Sequence, residues 1–468
     1  MRIEAHKERF IMNRLPNYSL GSFCFLLAIV FLAVGAGSAH AAGNTEVASI
    51  TYTKHIAPII QRSCESCHRE GGFAPMSLMT YDEVRPWARS IKQKTSTREM
   101  PPWFIEPDIG VKHFKNDPSL SKEEIKMVGQ WVDSGAPKGN ATDMPSPRQY
   151  LDRDQWAIGE PDLIVEGPEV LVKAIAPDYH KELGPVPTGL INDRYIAAVE
   201  VKETRMDGST FKNEKGEGMN LFTLHHAGVR ELGFEMDSPD GFYLIYEVGQ
   251  NATFYPQDTG VRLKAESALT YTVHMHSVGR DIPVRIDVGF KFHPQGYQPK
   301  YKQSGYNAGL VGGSNVREDL ILPPGNDAIR YDNFQTMSQP GILTTFEPHM
   351  HMSGDRMCVE AQYPNGYRET LNCSGYDHNW VRTYVYEDDY APLLPRGTIL
   401  HIMGWYNNSE TNSNNVEPRN WKSGGNRSID EMFVFLPKIT LLTDEQFEEE
   451  VARREILMSA NTNQQDDN

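Results

Sequence analysis

At 468 residues the chain is too long for one ordinary core and implies several domains. Its 62 acidic against 46 basic side chains give a formal charge of −16, which argues against nucleic acid or anionic membrane surfaces as partners. A hydrophobic fraction of 39% with 21 tyrosines suits a globular chain rich in strands.

The N-terminus reads as an export signal. Arg2, Lys7, Arg9 and Arg14 form a basic lead, Phe23 to Gly37 is an apolar run, and Ala39-His40-Ala41 supplies a small-x-small cleavage site. The run is shorter than the roughly 20 residues that span a bilayer. Residues 1–41 are therefore expected to be a removed signal peptide, leaving no membrane span and a periplasmic or secreted protein. Removal takes Cys24 with it, so Cys64, Cys67, Cys358 and Cys373 remain in an oxidising compartment.

Cys64-Glu65-Ser66-Cys67-His68 is the Cys-x-x-Cys-His pattern of covalent c-type haem attachment, in which two thiols form thioethers and the histidine is placed to bind iron. A thioredoxin-like pair would need a βαβ setting, whereas the flanking sequence is helical. Ser121-Lys122-Glu123-Glu124 is a capping box, Ile125, Val128 and Trp131 follow at helical spacing, and Gly135 and Pro137 end the helix. Met76, Met100 and His113 are the candidates for the second axial ligand. Met100 is preferred because Pro101-Pro102 pins the following chain in an extended form. The stretch from Ile50 to Lys138 resembles a monohaem cytochrome c domain with a methionine ligand, where the distal methionine precedes the last helix and often a proline. A small all-α cytochrome c domain is therefore expected over residues 50–138, with a linker rich in Pro, Gly and polar residues over 139–155.

From residue 156 to about 440 short apolar runs recur between Gly, Pro and Asn turns, among them Val170–Val172, Ile196–Val201, Ile286–Phe292 and Thr398–Trp405. No long helical period interrupts them, which is the pattern of antiparallel sandwiches. A Gly-rich break near Gly305 to Asn315 divides them into two all-β, jelly-roll-like sandwich domains, 156–310 and 316–442. Residues 443–468 read as a short acidic helix and a disordered tail. Cys358 and Cys373 flank Pro364-Asn365-Gly366. With Asn365-Gly366 as a two-residue loop they stand opposite each other; with Gly366 as a bulge after a type I turn the register shifts. A disulfide is expected in an exported protein.

Three histidine clusters lie in this β-like part. His349 and His351 project to one side of a strand, and His225-His226 and His274-Met275-His276 form two more tight groups. Imidazoles with methionine sulfurs close by point to copper before zinc. Adjacent residues of a regular strand face opposite ways, so His225 and His226 can share an ion only at a bulge or a strand end.

Leu224-His225-His226, Thr272 to His276, Leu322-Pro323-Pro324-Gly325, Pro348 to His351 and Ser428-Ile429-Asp430-Glu431-Met432 occur in this order. Over about residues 185–440 they resemble the copper type II, ascorbate-dependent monooxygenases, the family of peptidylglycine alpha-hydroxylating and dopamine beta-monooxygenases. The resemblance implies two copper ions. An electron-transfer copper would take His225, His226 and one of His274 and His276, with His276 preferred for its place at a strand end before a Gly-containing turn. An oxygen-activating copper would take His349, His351 and Met432, the catalytic set, with Met403 the rival thioether. The implied reaction hydroxylates a C–H bond of a small organic substrate with O₂, using an external one-electron donor, ascorbate or a periplasmic carrier, with the haem relaying electrons. Positions that hold a substrate carboxylate in the peptide-amidating branch fall on about Glu347, Val434 and Leu436, so a glycine-extended peptide is not expected. The alternative is an electron-transfer or copper-handling protein without oxygenase activity.

Overall fold

The structure, a computed structural model, describes residues 49–466 except 71, 73, 152–154, 177–178, 210–221, 234–240, 248–250, 304–319 and 426. The expected signal peptide and the break at 305–315 lie outside the described residues.

The chain enters through a π-helical turn, Tyr52–Ile56, into α1 (Ala57–Ser63), α2 (Tyr81–Val84), α3 (Ala88–Ser96) and α4 (Lys122–Asp133). At the start of α4 the Ser121 side chain accepts from the Glu124 N–H, and the Glu124 carboxylate accepts from the Ser121 N–H, as the capping box requires. Trp131 and Val128 are buried against Tyr52, Ile56, Ile60 and Val84. Residues 139–150 pack back on this group, with Gln61 donating to the Ser146 carbonyl and the Tyr150 hydroxyl to Glu65.

An all-α cytochrome c domain is not evident here, and that expectation is corrected. The four helices have only seven, four, nine and twelve residues. Between α3 and α4 the chain leaves them, because Pro101, Pro102, Pro107 and Pro118 oppose helix. This stretch crosses the second sandwich, bridging Ile105 to Ser374 and Phe114 to Tyr386. Trp103 and Phe114 are buried in the core of that sandwich. Large aromatic side chains need an extensive apolar surface to cover them, and the sheet offers more of it than four short helices do. From Ile50 onward the chain groups as one compact unit.

The β-sandwich expectation agrees with the structure. The first sandwich contains β1 (Leu163–Glu166), β2 (Val170–Val172), β3 (Tyr179–Pro187), β4 (Arg194–Arg205) and β5 (Leu224–Glu231). It continues with β6 (Tyr243–Glu247), β7 (Ala252–Phe254), β8 (Val261–Leu263), β9 (Ala268–Met275) and β10 (Ile282–Phe292). One sheet runs β1-β10-β4-β7, with β2 also on β10 and β8 on β4; the other runs β3-β9-β5-β6. Val199, Val201, Val229, Tyr271, Val273, Val288 and Phe290 fill the space between them.

In the second sandwich come β11 (Lys302–Gln303), β12 (Ile321–Leu322), β13 (Asn326–Thr336), β14 (Gly341–Leu343), β15 (Thr345–Phe346) and β16 (Pro348–His349). After them lie β17 (Gly354–Gln362), β18 (Arg368–Gly375), β19 (Tyr384–Val385) and β20 (Leu393–Leu394). The last strands are β21 (Ile399–Asn408), β22 (Lys422–Ser423), β23 (Val434–Phe435) and β24 (Ile439–Leu441). Sheets β13-β21-β17-β18 and β11-β24-β14-β20 share a core, and β12-β22, β15-β19 and β16-β23 are two-stranded ribbons. Strand β21 alternates strictly, burying Leu400, Ile402 and Tyr406 while His401, Met403 and Trp405 take the other face. A final helix, α5 (Asp444–Asp466), carries a buried Arg454 that pairs with Glu450 and donates to the Ala391 carbonyl.

The β17–β18 hairpin joins Cys358 to Cys373 in a disulfide. Next to the turn Gln362 pairs with Arg368 and Gly366 has φ +87°, so the three-residue loop with a glycine bulge is the one present. A second bulge at Leu371 restores the register, and Cys358 falls opposite Cys373. Among the described residues no helix is long and apolar enough to cross a membrane.

Candidate metal centre

The β5–β9 ladder builds the first histidine group. Leu224 pairs with Met275 and His226 with His274, so His225 is an extra residue on β5. Such a bulge re-aims side chains, and here it brings adjacent imidazoles to one place. Ring nitrogens of His225, His226 and His274 all lie within 4.8 Å of one another. His276, one residue past β9, has its ring centroid 4.7 Å from that of His225 and 4.9 Å from that of His274. The structure thus gathers His274 with the adjacent pair and keeps the preferred His276 beside it.

The second group is set by the β16–β23 ribbon, in which His349 pairs with Val434. His351 Nδ1 lies 3.0 Å from the Asp430 carbonyl. Met432 sits between these two contacts, so its backbone runs opposite both histidines, and its carbonyl accepts from the Tyr406 hydroxyl at 2.6 Å. The rings of His349 and His351 are 5.6 Å apart. The rival Met403 takes the outward face of β21 with His401, whose ring stacks on Phe334 at 4.2 Å and meets Asp332.

The two groups are contiguous. His226 and His349 have ring centroids 6.1 Å apart, and Ser428 Oγ reaches within 3.4 Å of His274 Nε2. Sequence reasoning missed two members of this neighbourhood. His378, on a one-turn helix His378–Trp380, has its ring 5.5 Å from His225 and 5.6 Å from His351. Glu247, at the end of β6, places Oε1 3.8 Å from His349 Nδ1. A lone histidine outside a strand and a lone glutamate at a strand end carry no spacing pattern that would mark them.

Burial dominates the electrostatics. It pushes His225 down to about 2, aided by His276 and His378, and holds His226 well below the usual histidine range, aided by His225 and His349. His349 is lowered to about 4, by burial first and His378 second. These imidazoles are neutral near pH 7, the form that binds metal. His225 Nε2 and His349 Nδ1 are buried without a hydrogen-bond partner. Polar atoms so placed are costly unless something binds them, and an imidazole set beside a methionine suits copper. Burial, reinforced by Glu347, raises the Glu247 carboxyl well above its ordinary value.

The Cys-x-x-Cys-His motif lies on the turn that follows α1, where Cys64 and Cys67 are free thiols. His68 Nδ1 is 3.2 Å from the Met76 carbonyl, which leaves Nε2 as its remaining ligand atom. The same contact commits the Met76 backbone to the His68 side. A Cβ at position 72 would fall 2.2 Å from the Cys67 carbonyl, so glycine is required where the loop returns over the motif. Two thiols and an oriented imidazole fit covalent haem. The fallback His113 instead stacks on Tyr390 at 3.6 Å and pairs with Glu387.

A cavity of about 740 Å³ lies between the sandwiches, with Glu247, Tyr255, Trp103, Arg382, Thr383 and Lys438 in its wall. Through Glu247 it abuts His349. Thr383 also donates to the buried Glu347, whose acid is raised by burial against the pull of Lys438.

Fold and site together describe a paired-sandwich protein with a buried histidine cluster of a kind that could hold metal. No protein-family model matches the chain, and no curated protein does. Among solved structures, the N-terminal CBM22-1-CBM22-2 tandem domain from Paenibacillus barcinonensis Xyn10C is similar at 9% identity and a TM-score of 0.16, covering 63% of this chain and 100% of its own. Coconut allergen cocosin gives 9% and 0.14, covering 61% and 84%, and recombinant pro-11S globulin of pumpkin gives 8% and 0.14, covering 60% and 86%. At such scores these likenesses carry no argument.

Proposed function

We propose that the chain is an exported copper- and haem-containing monooxygenase that hydroxylates a C–H bond of a small organic substrate with O₂. The balance is one oxygen atom into the product and one into water, with two electrons from an external one-electron donor and two protons. Bound copper supplies the redox chemistry toward O₂, and haem, held by Cys64, Cys67, His68 and Met100, supplies electrons singly.

The chain's own part is to hold and shield. His225, His226 and His274 or His276 would bind one ion; His349, His351 and Met432 would bind the other. Depressed basicity at His225, His226 and His349 keeps those nitrogens available, and burial excludes water from the reacting centre. Glu247, its acidity weakened by burial, faces His349 across 3.8 Å. The observation that carries the reading is a cavity of small-molecule size whose wall reaches the second histidine group through Glu247.

The contiguity of the two groups favours a second reading, an electron-transfer or copper-handling protein without oxygenase activity. Metal analysis and single turnover separate the two. About two coppers and one haem iron per chain are expected, and the reduced protein mixed with ¹⁸O₂ and a panel of small organic compounds should place label in a product. Two coppers with no label in any product favour the second reading; zinc alone, or no stable copper, overturns both.

A further inference from the structure

We propose that His378 is an additional copper ligand, standing between the two histidine groups and drawing them into one centre. The inference rests on the copper reading above.

Its ring lies 5.5 Å from that of His225 and 5.6 Å from that of His351. Inside the first group the ring separations run from 4.7 Å for His225–His276 to 5.4 Å for His225–His274, and in the second His349–His351 is 5.6 Å. His378 is therefore as near to His351 as His349 is, and only slightly farther from His225 than the first group's own members are. It is only 6% exposed, so solvent is not what its imidazole serves. His225 Nε2 and His349 Nδ1, buried ring nitrogens without a hydrogen-bond partner, belong one to each of the groups that it joins.

The backbone that carries His378 is fixed from several directions, as ligand placement requires. The Gly375 N–H donates to the Phe104 carbonyl and the Tyr376 N–H to the Asp355 carbonyl. The Tyr376 hydroxyl donates to the Met350 carbonyl, tying this stretch to the residue between His349 and His351. Asp377 caps the turn by accepting from the Asn379 N–H at 3.0 Å, and Asn414 Nδ2 donates to the same carboxylate at 3.2 Å. The residues on both sides of His378 are thus tied to neighbouring segments, although no strand contains it.

The test uses the full chain, copper as the probe, and variants His378→Gln and His378→Asn. His293→Gln is the control, a histidine stacked on Tyr297 away from the centre. Circular dichroism of the copper-free proteins checks that each variant is folded. The expected result is a loss of affinity for one copper by about 10- to 100-fold, with one nitrogen fewer in the electron paramagnetic resonance of the Cu(II) form. The control should bind as the parent does. A folded variant with the parent's affinity and nitrogen count overturns the assignment and leaves the copper reading intact. A weakened affinity with an unchanged nitrogen count makes His378 a positioning residue and equally overturns it. A parent that binds no copper defeats the underlying reading as well.

Discussion

A single extra residue decides what His225 and His226 can do together. On a regular strand they would serve opposite faces; the bulge at His225 puts both beside His274. The paired histidines were legible in the sequence because two imidazoles in adjacent or alternate positions form a local pattern. His378 and Glu247 were not, since their roles arise only when distant segments meet. His274 and His276 both come beside His225 because of the register of β9 against β5, which no local pattern specifies.

Burial of neutral histidine has a consequence for stability. The His349 imidazole falls from an ordinary 6.5 to about 4 on folding, so between these values only the unfolded chain takes up its proton. Its contribution is therefore fully present above pH 6.5 and is lost as pH falls toward 4. In metal-free protein the stability of the parent relative to His349→Gln should decline by about 1 kcal/mol per pH unit across that window. Denaturant titrations at several pH values measure it; a difference that does not vary with pH means that the imidazole titrates as in water. Met432→Ala should lose one copper while leaving the haem spectrum unchanged. Met403→Ala, on the outer face of β21, should keep both coppers and cost about 1 kcal/mol or less. Copper retained by the first and lost by the second would reverse the thioether assignment.

At the scale of elements, the β17–β18 hairpin shows how far local rules reach. Two cysteines flanking Pro-Asn-Gly in a chain expected to be exported pointed to a disulfide, and the bond is there. The route to it differs from the simplest reading, because the Gly366 bulge displaces the register and the Leu371 bulge returns it. The second bulge places Leu371 in the core, at 1% exposure, a demand of packing that the turn sequence does not carry. Joint replacement of Cys358 and Cys373 by alanine should lower unfolding free energy by about 3 kcal/mol, given a sequence separation of 15. Denaturant midpoints of the oxidised parent and the double variant provide the measurement. An unchanged midpoint would mean that the ladder alone holds the hairpin.

Across the whole molecule, the alternating strands announced the sandwiches, but the N-terminal part misled. The capping box and helical spacing around α4 were real, and they suggested a self-contained helical domain. What they could not reveal is that Trp103 and Phe114 are buried in the second sandwich. Arg356 adds a bidentate contact to Glu106, and Lys115 meets Asp388 at 2.6 Å. Proteolytic cutting between Tyr150 and Trp156 should therefore leave the two pieces associated, eluting together in size-exclusion chromatography under native conditions. Two separate peaks would show that the crossing stretch binds too weakly to hold them.

The same crossing stretch bears on the order of events during synthesis. Phe104 donates its N–H to the Tyr384 hydroxyl, a partner 280 residues later in the chain. Trp103 and Phe114 thus have no sheet to cover them until most of the polypeptide has emerged, and so distant a contact closes late. The Cys64–His68 turn is meanwhile synthesised long before that sheet exists. Any enzyme that modifies those thiols would find its best opportunity before the second sandwich arrives and clamps the neighbouring chain.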